Sequence, residues 1–71
     1  MDSKEIGKRL RALRGSEAAT KVADSIGVSN SALRMYEAGE RIPRDEIKIR
    51  IAKYYGMRVG DIFFNEKVHE M

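Results

Sequence analysis

The 71-residue sequence contains no cysteine, so neither a disulfide nor a thiolate metal site can hold it together. A chain this short buries little apolar surface, and part of its stability is expected to come from self-association. No apolar run approaches the roughly 20 residues of a membrane span. The opening residues, Asp2 to Glu5, are too polar for a signal peptide, so no membrane partner is expected and the cytoplasm is the expected setting. The single histidine, His69, sits in a polar tail. No Gly-rich phosphate loop and no paired-ligand spacing is present. An enzyme, a bound metal, a cofactor and a small-molecule substrate are therefore not expected. Charge of one sign is also scarce: 14 basic against 11 acidic residues leave +3, which suits a polyanion partner but decides nothing alone. Apolar residues at 42% and charged residues at 35% describe a folded chain rather than a disordered one. No repeat or linker divides it, and residues 1–65 read as one domain followed by a polar tail, 66–71.

The informative stretch runs from Val22 to Glu37. Val22, Ala23 and Ile26 recur at helical spacing, Gly27 and Val28 interrupt them, and Leu33 and Tyr36 resume the pattern after Ser29. This predicts a helix, a turn of three or four residues and a second helix, the arrangement of the DNA-binding helix-turn-helix. Gly27 takes the positive φ that ends the first of these helices, and Ser29 caps the second. Ser29, Asn30, Ser31 and Arg34 crowd the start and outer face of the second helix, where that motif presents side chains to base edges. Two such short helices need bracing by their flanks.

Upstream, Asp2 and Glu5 match a capping box, and Ile6, Leu10 and Leu13 mark one face of a first helix. Gly15 ends it, and Ser16 is expected to cap a second helix running from Glu17 to Ile26. Downstream, Gly39 closes the recognition helix and Pro43 is placed in the first turn of a fourth, with Asp45 and Glu46 at its positive end. Ile47, Ile51, Tyr54 and Tyr55 form one stripe of that helix. Ile49 falls about 200° from Ile47, off the stripe. Gly56 ends the helix, and VGDIFF supplies one more short helical turn.

The runs IGVSNSALRMYEAGERIP and IAKYYGMRVGDIFF, in this order and spacing, resemble the Cro and phage-repressor-like helix-turn-helix family, also called the xenobiotic-response-element family. The resemblance covers Ile6 to Phe64, about five-sixths of the chain. The stretch PRDEIKIRIAKYYG looks like that of small regulators from Gram-positive bacteria and their prophages. The family implies an all-α, five-helix, lambda-repressor-like domain whose third helix enters the DNA major groove. It also implies a cytoplasmic, nucleoid-associated regulator, a repressor of prophage or host operons, with double-stranded DNA as partner. Members commonly begin the second helix with Ser or Thr and then Gln, where this chain has Ala18 and Ala19, and they place Asn where it has Ala38. Those losses give weight to an alternative, a protein-binding module of the antirepressor or antitoxin type.

By that resemblance Asn30 matches a base-reading position, and its amide suits adenine N6 and N7. Ser31 suits a base edge or a phosphate, Arg34 a guanine or a phosphate, and Met35 a thymine methyl or the protein surface. Ser29 reads as a cap and is grouped with the phosphate contacts Thr20, Lys21, Arg41 and Arg44. Arg14 and Glu37 fall where the family often places a partly buried ion pair, the other possibility being two unrelated surface charges. Specific binding by this motif usually takes two copies, so a homodimer is expected through the C-terminal third. Ile49, Met57, Ile62, Phe63 and Phe64 are the candidate contacts, unless Ile62 and Phe63 finish the monomer core.

Overall fold

A computed structural model describes residues 2–64; the predicted tail, with His69, lies outside the described residues. Asp2 starts the first helix by accepting a hydrogen bond from the Lys4 N–H at 3.0 Å, while Glu5 pairs forward with Arg9 at 3.9 Å, so the Asp2 half of the capping box forms. The helices are α1 (Ser3–Arg14), α2 (Ala19–Ile26), α3 (Asn30–Glu37), α4 (Asp45–Tyr55) and α5 (Val59–Phe63). No strand occurs among the described residues, and the domain is all-α.

Each helix turns its apolar spacing into one buried face. In α2 the residues Ala19, Val22, Ala23 and Ile26, at i, i+3, i+4 and i+7, are all buried. They meet Ile6 and Leu10 of α1, Leu33 and Tyr36 of α3, Ile51 and Ala52 of α4, and Ile62 and Phe63 of α5 in one cluster. Leu10, Val22, Ile51 and Ile62 are its fully enclosed side chains, each contributing about 1.5–3 kcal/mol of burial. Helix α1 packs on α3 and α5, α2 on α3 and α4, and α4 on α5, so α3 is braced from two sides.

Two turns define how α3 is held. Gly27 adopts φ 86°, and the Val28 N–H reaches back to the Ala23 carbonyl at 3.0 Å, closing α2 in a left-handed cap that only glycine enters freely. At the other end Gly39, φ 76°, does the same for α3, with the Glu40 N–H on the Met35 carbonyl at 2.9 Å.

Three local expectations need correction. Helix α2 begins at Ala19, two residues later than predicted, with Ala18 as a cap that makes no side-chain bond; Ser16 does not cap it. The cause is tertiary. The Arg14 Nη1 donates to the Glu17 carbonyl at 2.7 Å and the Tyr54 hydroxyl donates to both Glu17 carboxylate oxygens, at 2.9 and 3.0 Å, which hold Glu17 in the turn. Pro43 is buried ahead of α4, and Arg44 occupies the cap position, so the proline shapes the approach to the helix rather than its first turn. Ile62 and Phe63 are 0% and 2% exposed: they complete the monomer core between α1 and α4 and are unavailable to a dimer contact.

Candidate nucleic-acid interface

The Ser29 hydroxyl oxygen accepts from the Ala32 N–H at 3.0 Å, which stops α3 from fraying at the end nearest the turn. Leu33 and Tyr36 anchor the inner side of α3 in the core. The opposite side leaves Ser31 and Arg34 exposed, with Met35 half-buried beside them. Asn30, at the first position of the same helix, is partly buried, and its Oδ1 is shielded from solvent without a hydrogen-bond partner among the described residues.

The far end of α3 is fixed by charge. Arg14 Nε donates to Glu37 Oε2 at 2.8 Å and Nη2 to Oε1 at 3.0 Å, with the two side chains 14% and 8% exposed. The hydrogen bond to Glu37 raises the Arg14 pKa above its ordinary value despite the opposing effect of burial. The pair therefore stays ionised at any physiological pH on the arginine side. It joins the last residue of α1 to the last residue of α3, so it sets the direction of the latter.

The backbone closes in alongside. The Ser3 hydroxyl donates to the Gly39 carbonyl at 2.9 Å, and a Cβ on Gly7 would stand 2.5 Å from the Glu37 carbonyl oxygen. Such proximity is possible only where α1 lacks a side chain. Ser3, Gly7, Glu17 and Tyr54 are the positioning residues that sequence reasoning missed. Only Gly7 carried a readable signal, a glycine inside an apolar helical stripe.

Around this mount lie exposed polar and basic groups. Thr20 and Lys21 are exposed in the first turn of α2, and Arg41 and Arg44 in the connection from α3 to α4. Lys21 stands 3.5 Å from Glu17 across an exposed i,i+4 pair, an interaction weak enough to leave it available. Thr20, Lys21, Ala23, Asp24, Val28 and Asn30 line an open cleft of about 460 Å³ between α2 and α3. On α4 and just after α5, Ile49 and Phe64 are 56% and 46% exposed, while Met57 is half-buried against the core. Lys48, which the pattern marks as polar, is itself buried, its ammonium 3.6 Å from Asp45 and 5.0 Å from the Phe64 ring.

Two helices at a three-residue turn, the second capped, anchored and presenting an exposed polar face, define a helix-turn-helix domain. The sequence matches the helix-turn-helix family over residues 8–62, and the chain belongs to that family of Cro- and repressor-like DNA-binding regulators. No curated protein gives a significant match. Among the described residues no helix is long and apolar enough to cross a membrane, and no cluster of metal-ligating side chains occurs.

Proposed function

We propose that this protein is a sequence-specific transcription regulator, a repressor of prophage or host operons, that occupies a palindromic operator as a homodimer. The observation that carries the reading is the rigid mount of α3: its polar face, Ser31 and Arg34, is exposed while its other end is tied to α1 by the Arg14–Glu37 pair. A helix so held suits insertion in a major groove, where Arg34 has the paired donors for guanine O6 and N7 and the Met35 thioether suits a thymine methyl. The exposed Lys21, Arg41 and Arg44 suit backbone phosphates, with Thr20 and Ser29 as uncharged partners. The backbone N–H groups at the start of α2, which Ala18 leaves without a side-chain cap, offer a further phosphate contact.

One short recognition helix reads few bases, and two copies on half-sites about 34 Å apart provide the rest. Ile49, Phe64 and the half-buried Met57 are the proposed contacts between the copies. Selection from a random duplex pool tests the reading. Enrichment of a palindrome with half-sites about 10 base pairs apart is expected. Failure to enrich any sequence at low salt would instead favour a protein-binding module, to which Ala18, Ala19 and Ala38 lend their missing polar groups.

A further inference from the structure

The turn between α2 and α3 is met by a side chain from outside the motif, Arg50 of α4. Its Nη1 donates to the carbonyl of Ile26, the last residue of α2, at 3.3 Å. The same nitrogen lies 3.1 Å from where a Cβ on Gly27 would stand, so the guanidinium rests against the first residue of the turn. Two distances from one atom fix the place of the cation. The last carbonyls of a helix lack partners within it and carry the negative end of its dipole. At the end of α2 the Ala23 carbonyl accepts from the Gly27 and Val28 N–H groups, at 2.9 and 3.0 Å, and the Ile26 carbonyl accepts from Arg50. Helix α2 has no basic residue in its own last turn. The charge that suits that end comes from α4.

The consequence reaches α3. Gly27 is followed by Val28 and then by Ser29, whose hydroxyl caps α3, so a turn held at Ile26 and Gly27 sets where the recognition helix begins. The far end of α3 is held by Arg14 through Glu37. We infer that Arg50 is a positioning residue for base reading, which holds the entry to α3 from α4 as Arg14 holds its exit from α1, and which itself touches neither base nor phosphate. This rests on the DNA-binding reading above. A recognition helix that shifts at its entry loses base contacts together, whereas binding to random duplex rests on phosphates and is spared.

The test measures, on the full chain, affinity for the selected site and for random duplex across salt in the wild type, Arg50→Met, Arg50→Lys and Arg41→Ala. Arg50→Met keeps the length of the side chain and removes its charge and its donor. It is expected to bind the selected site about three- to tenfold more weakly, the scale of one hydrogen bond. Its affinity for random duplex and its salt slope should stay as in the wild type, while Arg41→Ala should lower both affinities and make the slope shallower. Arg50→Lys, which returns a cation to the end of α2, should recover part of the loss. Amide NMR shifts of Arg50→Met should change around residues 26–31 and leave the core signals in place. An unchanged affinity for the selected site would overturn the inference while leaving DNA binding standing. So would equal losses on both duplexes with a shallower slope, which would make Arg50 a phosphate contact. Shift changes spread through the core, or no recovery in Arg50→Lys, would overturn it as well. A wild type that enriches no site would overturn the DNA-binding reading itself, and the role of Arg50 with it.

Discussion

The guanidinium of Arg14 and the carboxylate of Glu37 meet in a two-pronged pair across 23 positions of sequence, closing α1 onto the end of α3. Both side chains are largely buried, so each partner has little water to fall back on. Replacing either one with alanine is expected to destabilise the domain by about 3–5 kcal/mol, because the survivor is left as an unpaired buried charge. Urea melts of Arg14→Ala, Glu37→Ala and the double variant should show the double losing clearly less than the sum of the two. Simple additivity would mean that the contact carries no energy of its own.

Glycine content gives a paired expectation. A methyl group on Gly7 would press on the Glu37 carbonyl oxygen at 2.5 Å and on the Gly39 nitrogen at 2.9 Å, backbone atoms that cannot rotate away. Gly7→Ala should therefore destabilise by about 1–3 kcal/mol or more and tilt α3. Gly60 of α5 has nothing within 4 Å of the same position, and Gly60→Ala should be neutral or stabilise by up to about 1 kcal/mol. Thermal melts of the two variants check both, and equal behaviour would contradict the close approach of α1 to α3.

Much of this arrangement was legible in local pattern. The stripe Val22, Ala23, Ile26, the glycines at 27 and 39 and the Ser29 cap all act within one turn of helix, so spacing alone located the motif. What escaped depends on distant neighbours. Ser16 is as good a cap as many, but Tyr54, 37 positions beyond Glu17, holds that turn open and delays α2. Ile62 and Phe63 both face inward because α5 lies against α1 and α4 at once, and a single helix wheel cannot show two walls. The enclosure of Asn30 Oδ1 is likewise a property of the surrounding packing, not of the residue type.

Two tyrosines on α4 should give the domain an alkaline limit. Burial, reinforced by the carboxylates of Glu37 and Glu17, pushes the Tyr55 hydroxyl up to about 12, and its hydrogen bond to Glu17 raises Tyr54 above its usual value. A phenol whose pKa is higher folded than unfolded stabilises fully below about pH 10, and that contribution is lost as pH rises towards 12. Absorbance titration should find Tyr55 ionising near 12, with stability falling between pH 10 and 12. Tyr55→Phe should flatten that fall; an unchanged profile would contradict the cause assigned.

The proposed dimer separates two adjacent phenylalanines. Phe63, 2% exposed, belongs to the core, and Phe63→Lys should abolish folding. Phe64, 46% exposed, should accept lysine and stay folded, at a loss of about 1–2 kcal/mol because the buried Lys48 ammonium exchanges an aromatic ring for a like charge, while self-association is lost. Sedimentation equilibrium of the wild type and Phe64→Lys distinguishes the outcomes. A wild type that stays monomeric at tens of micromolar, free and on its operator, would remove the dimer.

The central claim, that α3 and its basic flanks engage duplex DNA, is tested most directly by measuring the affinity of the wild type for its selected site from low to high salt. Neutralising four to eight phosphates per dimer should give a log–log slope of about −4 to −7. Arg41→Ala should weaken all sequences alike and make that slope shallower by about 1 per half-site. A flat salt response, or a slope indifferent to Arg41, would contradict it.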